Sequence, residues 1–202
     1  MLEISDSKVV LRDFKDSDIE KRIDWETKET EWQLWDAPWQ YENLTKEQKE
    51  KEFKEYMENM QSWVRKYRVM SDAQERTGFQ ICTKEGNYIG WCNSYFIDNE
   101  YNYSLDGSKR AIGIAIPETL QRRKGYAFHA LCLFIDYIVS HGESEIYTQT
   151  WSGNERMIAL ATKLGFEECF RKIDFRTVRG NKYDGLTFRL NMERYQIAKQ
   201  KL

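Results

Sequence analysis

Gln121-Arg122-Arg123-Lys124-Gly125-Tyr126-Ala127 stands between a β-branched run that stops at Pro117 and a strongly apolar stretch that reads as a helix. Three adjacent cations therefore sit where that helix begins. A helix N-terminus already carries partial positive charge, so Arg122, Arg123 and Lys124 are electrostatically misplaced unless an anion docks on the exposed N–H groups. Gly125 lets the backbone come close to such an anion. The stretch points to a phosphate-bearing ligand, although it lacks the GK[ST] ending of a Walker A loop and is not GxGxxG. Taken alone, it also fits a basic first turn screened by nearby carboxylates.

Working outward, the helix after Gly125 is apolar nearly all round (Tyr126, Ala130, Leu131, Leu133, Phe134, Tyr137, Ile138), as expected of a helix laid on a sheet, and Gly142 ends it. Before the loop, 110–116 reads as a strand closed by Pro117, which cannot donate to a ladder. After it, 145–150 reads as a strand, and a helix follows from about Asn154 to Leu164, with Gly165 and Phe166 in Schellman positions. Residues 168–178 and 185–191 read as strands around a turn at Gly180-Asn181. Toward the N-terminus, Val9 to Phe14 reads as a strand and Asp16-Ser17-Asp18 offers caps for a helix carrying Ile19, Ile23 and Trp25. Residues 32–43 are irregular and rich in tryptophan. Thr45-Lys46-Glu47-Gln48 has capping-box form and opens a long amphipathic helix with Phe53, Tyr56, Met60, Trp63, Val64 and Tyr67 on one face. Strands near 77–83 and 88–97 form a hairpin about Lys84-Glu85-Gly86-Asn87. The order β-α-α-β-β-β-α-β-α-β-β predicts an α/β (α+β) layered fold around a mixed sheet.

The chain has 202 residues, 41% apolar and 32% charged, with a net charge of −2. That suits one globular domain over 1–202 and argues against nucleic acid as a partner. Cys82, Cys92, Cys132 and Cys169 lie in apolar stretches outside any CxxC or Cys/His cluster, so buried reduced thiols are expected, with no metal. No basic leader followed by an apolar run opens the sequence, and no stretch approaches the ~20 apolar residues of a membrane span. A cytoplasmic protein is the expectation, and a two-fold homodimer is only a base rate at this size.

Asn154-Glu155-Arg156-Met157-Ile158-Ala159-Leu160-Ala161-Thr162-Lys163-Leu164-Gly165-Phe166 is by itself a capped amphipathic helix. Following the cationic loop in this order, it resembles the second motif of the GCN5-related N-acetyltransferase (GNAT) family. Arg122 to Ala127 resembles that family's Q/R-x-x-G-x-G/A coenzyme A signature, and Val10 to Phe14 resembles the first strand of the branch that includes ribosomal-protein N-terminal acetyltransferases. The resemblance spans residues 8–192. It implies a mostly antiparallel sheet with a splayed strand pair and helices on both faces, and acetyl-CoA as cosubstrate. It further implies pyrophosphate on the N–H groups of Arg123, Lys124, Gly125, Tyr126 and Ala127. Arg122 and Lys124 would add charge-assisted contacts to phosphate. The pantetheine arm would run along the backbone of Ile114 and Ile116 and reach the Asn154 amide, which read alone is an N-cap. A backbone N–H on the splayed strand would polarise the thioester carbonyl.

The implied reaction is direct attack of a neutral amine on the thioester, either a protein N-terminus or a small-molecule amine. The sequence departs from the family where the proton must move. Gln149 stands where many relatives carry a glutamate base, and Ala161 where many carry a tyrosine acid. Three explanations stay open. Another carboxylate such as Glu118 takes the proton; orientation suffices for an amine of pKa about 7.7–8.0; or catalysis is lost and the chain is an acetyl-CoA sensor. An unrelated phosphate-binding α/β domain is the remote alternative. For the acceptor, Trp35, Asp36 and Trp39 offer indole faces around a carboxylate that suit a cationic amine, with Gln149 nearby; the same tryptophans could equally clamp helices onto the sheet.

Overall fold

The structure, a computed structural model, describes residues 1–42 and 44–200; the last position of the expected irregular stretch, 43, lies outside them. Eight strands, β1 (Glu3–Ser5), β2 (Val9–Arg12), β3 (Gly78–Thr83), β4 (Tyr88–Ile97), β5 (Lys109–Ala115), β6 (Ile146–Trp151), β7 (Phe166–Val178) and β8 (Asn181–Leu190), form a mixed sheet. Among the described residues five α-helices accompany them: α1 (Ile19–Thr27), α2 (Lys46–Val69), α3 (Tyr126–Ser140), α4 (Glu155–Leu164) and α5 (Met192–Lys199). The spatial order β1-β2-β3-β4-β5-β6-β8-β7 leaves β1 and β7 at the edges. Two elements have no counterpart in the sequence reading. Three-residue β1 is too short to show a period, and α5 carries only two buried side chains among polar neighbours. The final hairpin is longer than expected because pairing continues down to Val178 and Asn181 at the turn.

Helices cover both faces. On one, Phe128, Leu131, Phe134, Ile135 and Ile138 of α3 bury against Val9, Leu11, Phe79, Ile81 and Ile112, each worth ~1.5–3 kcal/mol. Tyr195 of α5 completes this layer, its hydroxyl within hydrogen-bond distance of Cys132 O (2.9 Å) and Asp136 (2.8 Å), which share its one proton. Gly165 ends α4 at φ 95°, and a Cβ there would lie 2.7 Å from Tyr195 N. Only glycine therefore permits both the left-handed turn and the docking of α5. On the opposite face, Trp25 of α1 packs on Tyr88 and Trp91 with ring centres 4.8 and 6.0 Å away. Met60, Val64 and Tyr67 of α2 close over Phe14. The Thr45–Gln48 capping box forms as expected, with N···O distances of 3.2 and 2.8 Å.

One charge pair is fully enclosed between these layers. Arg76 (0% exposed) and Asp13 (1% exposed) make a bidentate pair with both N···O distances at 3.0 Å. The thiols correct one expectation: Cys82, Cys92 and Cys132 are buried, but Cys169 is exposed, because it lies on edge strand β7.

All neighbouring strands are antiparallel except β5 and β6. Their parallel ladder runs from Arg110 and Ile146 to Ile112 and Thr148 and stops there. Beyond that point β5 follows β4 as far as Ala115 and Trp91, whereas β6 follows β8 as far as Trp151 and Gly185. The two strands part, and the expected splay is present.

Removing one partner of a buried pair strands the other charge. Asp13→Ala is expected to cost ~3–5 kcal/mol of stability, read as a lowered urea midpoint.

Candidate active site

The splay opens a cleft of about 760 Å³, within the size range of small-molecule sites. Gly113, Ile114, Ala115 and Ile116 form one wall, and Gln149, Thr150 and Asn154 another. Arg122, Arg123, Gly125, Tyr126 and Ala127 reach it from the loop, as do Trp35 and Asp36 from the segment after α1. Glu118, Trp39 and Lys124 are not in its lining, and Lys124 is exposed on the loop.

The loop has the conformation that its sequence suggests. Gly125 sits at the N-cap of α3 with φ 87°, and no side chain caps the helix. The first bond of the helix is His129 N to Gly125 O at 3.2 Å, so the N–H groups of Tyr126, Ala127 and Phe128 lack intrahelical acceptors. Arg123 is itself left-handed at φ 59°, and both Arg123 and Lys124 are exposed. Lys8, from the β1–β2 turn, adds a further cation: its Nζ lies 3.6 Å from where a Gly125 Cβ would be. That turn is pinned by Asp6, which bonds His129 Nδ1 at 2.6 Å. Burial pushes the Asp6 carboxyl up, but the Val9 and Lys8 N–H groups and His129 outweigh it and hold it below its usual range.

The Arg122 guanidinium donates to Ile116 O (2.8 Å), to Pro117 O and to Glu31, so three of its N–H groups shape the loop. The Ile116 carbonyl is occupied by the same bonds. Ile114 is different: Ile112 O faces β6, where it accepts from Thr148 Oγ1 at 2.8 Å. Backbone polar groups alternate sides along a strand, so those of Ile114 point the same way, into the splay where the ladder has ended. Asn154 takes the capping role considered for it. Its Oδ1 caps α4 at Met157 N (3.1 Å), and its Nδ2 donates to Trp35 O (3.0 Å) at the cleft wall.

The segment Thr30–Leu34 and the residues after it form a strap across the cleft. Glu31 ties Arg122 of the loop to Arg156 of α4 (3.3 Å) and accepts the Trp35 indole N–H (2.9 Å). Burial raises the Glu31 carboxyl, yet these donors hold it below the usual range. Trp35 stacks under Arg156, 3.9 Å from ring centre to guanidinium, and its carbonyl also accepts from Trp151 Nε1 at 2.8 Å. Trp39 instead packs on Trp151 and Phe175, with centres 6.3 and 5.9 Å away, which is the clamping role. Asp36 lines the cleft and is exposed at one side, yet protein crowded around its carboxyl pushes it above the usual range. Gln149 is fully engaged: Nε2 donates to Tyr101 O (2.8 Å) and Thr187 Oγ1 (3.0 Å), and Oε1 accepts from Tyr95 (3.3 Å). Glu118 does not line the cleft; it is ion-paired with Lys21 in a neighbouring hollow that shares Gln121 with the cleft.

Sequence reading missed Lys8, Glu31, Arg156 and Lys163. The last two were within reach, since Arg156, Leu160 and Lys163 lie on one face of α4 by helical spacing and all three line the cleft. Lys8 and Glu31 are joined to the loop only by tertiary contacts.

The family model described as Acetyltransferase (GNAT) domain matches residues 8–167. The chain belongs to the GNAT acetyltransferase family, whose cosubstrate is acetyl-CoA. Its fold is that of solved members. A GNAT-family acetyltransferase from Bacillus anthracis superposes with TM-score 0.65 at 14% identity, over 95% of this chain and 99% of that one. Spermidine N-acetyltransferase from Vibrio cholerae, in complex with CoA and spermine, gives 0.64 at 16%, over 95% and 99%. The ribosomal L7/L12 alpha-N-protein acetyltransferase RimL, in complex with coenzyme A, gives 0.65 at 15%, over 93% and 97%. No curated protein matches the sequence.

Gly125→Asp is expected to weaken acetyl-CoA binding at least about tenfold, or ~1.4 kcal/mol, by adding charge and a strained φ at the first turn. Calorimetry reads the affinity, and circular dichroism checks that the fold persists.

Proposed function

We propose that the protein transfers acetyl from acetyl-CoA to a primary amine, a protein N-terminus or a small-molecule amine, by direct attack in a ternary complex. One observation carries this reading: a single cleft joins the uncapped, cation-flanked first turn of α3, the unpaired backbone of Ile114 and the carboxylate of Asp36. The N–H groups of Tyr126 and Ala127, with Arg123, Lys124 and Lys8, suit pyrophosphate. Ile114 N–H and C=O suit the pantetheine amides, and a donor on this strand would stabilise charge on the thioester oxygen as the amine attacks. Holding amine and thioester together supplies much of the rate, since well-oriented pairs gain ~7–11 kcal/mol over encounter in solution. Trp35 and Asp36 form the acceptor side of this reading. A single domain at work in the cytoplasm, with free thiols, belongs to the same proposal.

A second reading, a non-catalytic acetyl-CoA sensor, draws its support from Gln149 and Ala161. Gln149 has its amide spent on protein partners, and Ala161 is fully buried with no proton to give. Thiol release from acetyl-CoA, measured over peptides, polyamines and aminoglycosides, separates the two. Turnover on any of these amines is the expected result. Tight acetyl-CoA binding with none supports the sensor, and no binding rejects both.

A further inference from the structure

We propose that Asp36 is the carboxylate that takes the proton from the acceptor ammonium, and that the acceptor is an amine with no carboxylate beside the reacting nitrogen. This rests on the acetyl-transfer reading above.

Position comes first. The Trp35 carbonyl is held by Trp151 Nε1 at the end of β6 and by Asn154 Nδ2 at the start of α4. Asp36, the next residue, has its own N–H fixed on Trp32 O at 3.1 Å. The strap thus sets Asp36 against the parted end of β6, in the same cleft as Ile114. Elimination then removes the competitors. Glu31 is neutralised by Arg122 and Arg156, Glu118 is paired with Lys21 outside the cleft, Gln149 has no basic atom, and Ala161 has no titratable group.

The surroundings supply the chemistry. Three titratable groups act electrostatically with Asp36: Glu26 of α1, Tyr41 of the strap and Tyr95 of β4. None is a cation, and among the described residues Asp36 has no ion-pair partner. Burial raises the Glu26 carboxyl too, against the pull of the nearby Arg22, which is stacked on Trp91 at 3.5 Å. Burial and the Asp36 charge also push the Tyr95 hydroxyl up, so it stays protonated. An arriving ammonium is thus the missing counter-charge for Asp36, with the Trp32 and Trp35 rings beside it. A second anion next to that ammonium would face the Asp36 carboxylate, which disfavours free α-amino acids against alkylamines and peptide N-termini.

The step balances. The ammonium gives one proton to Asp36 Oδ, and the freed nitrogen lone pair forms the C–N bond at the thioester carbon. As the C–S bond breaks, the thiolate takes the second nitrogen proton, and Asp36 later returns its own to solvent.

The test is Asp36→Asn. With an alkylamine or peptide acceptor, kcat is expected to fall ~10²–10⁴-fold, with acetyl-CoA affinity by calorimetry unchanged. Wild-type kcat should decline on acidification as Asp36 becomes protonated; the variant should lack that limb, and Asp36→Glu should keep it. A readout independent of activity follows from linkage. A carboxyl raised in the native state costs stability above its unfolded pKa of about 3.9, so Asp36→Asn should raise the urea midpoint at neutral pH and converge with wild type in acid. An unchanged kcat, or a loss confined to KM with the acid limb retained, overturns the role of Asp36 while leaving acetyl transfer standing. Turnover of free amino acids as fast as of peptides overturns the acceptor class. Wild-type protein that binds no acetyl-CoA, or binds it and acetylates no amine, overturns acetyl transfer and the role of Asp36 together.

Discussion

A parallel ladder that stops halfway is the constraint on which the site depends. Beyond Ile112 and Thr148, β5 and β6 each keep an outer partner but lose one another. Backbone polar groups in a sheet interior demand partners, and here β5 presents them to a cleft. The outer ladders on β4 and β8 hold the two walls apart, so the gap is a property of the sheet and not of a mobile loop. Pro117 reinforces it by ending β5 where the loop must turn toward α3.

What fills the cleft's rim comes from a distant part of the chain. Through one carboxylate and one carbonyl, the strap touches the loop, β6 and α4 together: Glu31 bonds Arg122 and Arg156, and Trp35 O bonds Trp151 and Asn154. The side proposed for the coenzyme and the side proposed for the acceptor therefore share a covalent segment. Arg122 illustrates the division of labour: it shapes the loop, leaving Arg123 and Lys124 exposed, with Lys8 half-buried beside Gly125.

The local parts of this arrangement were legible in the sequence because they are written in local chemistry. Cations before an uncapped helix, Gly125 at a left-handed N-cap, Asn154 at a second cap and Gly165 at a helix end each follow from the conformational needs of one or two residues. The Thr45–Gln48 box is of the same kind. What escaped was long-range. That Glu31 pairs with Arg122, that Glu118 pairs with Lys21, or that Lys8 lies against Gly125 depends on strand register and helix docking, which no spacing rule encodes. β1 and α5 escaped for a related reason: neither shows a recognisable period, and both are held by tertiary contacts such as those of Tyr195 with α3.

The two outer strands carry a consequence for how copies of the chain behave toward one another. An open sheet edge is a template for pairing with a second molecule. At one edge β1 offers only three residues. At the other β7 offers thirteen, but its register breaks near Glu168 and again after Lys172, where Asp174 turns left-handed at φ 52° inside the second break. Arg171, Lys172 and Asp174 stand exposed along the same stretch. A strand so interrupted and charged cannot extend a ladder in register, and the exposed Phe170 and Ile173 are thereby kept from seeding intermolecular sheet.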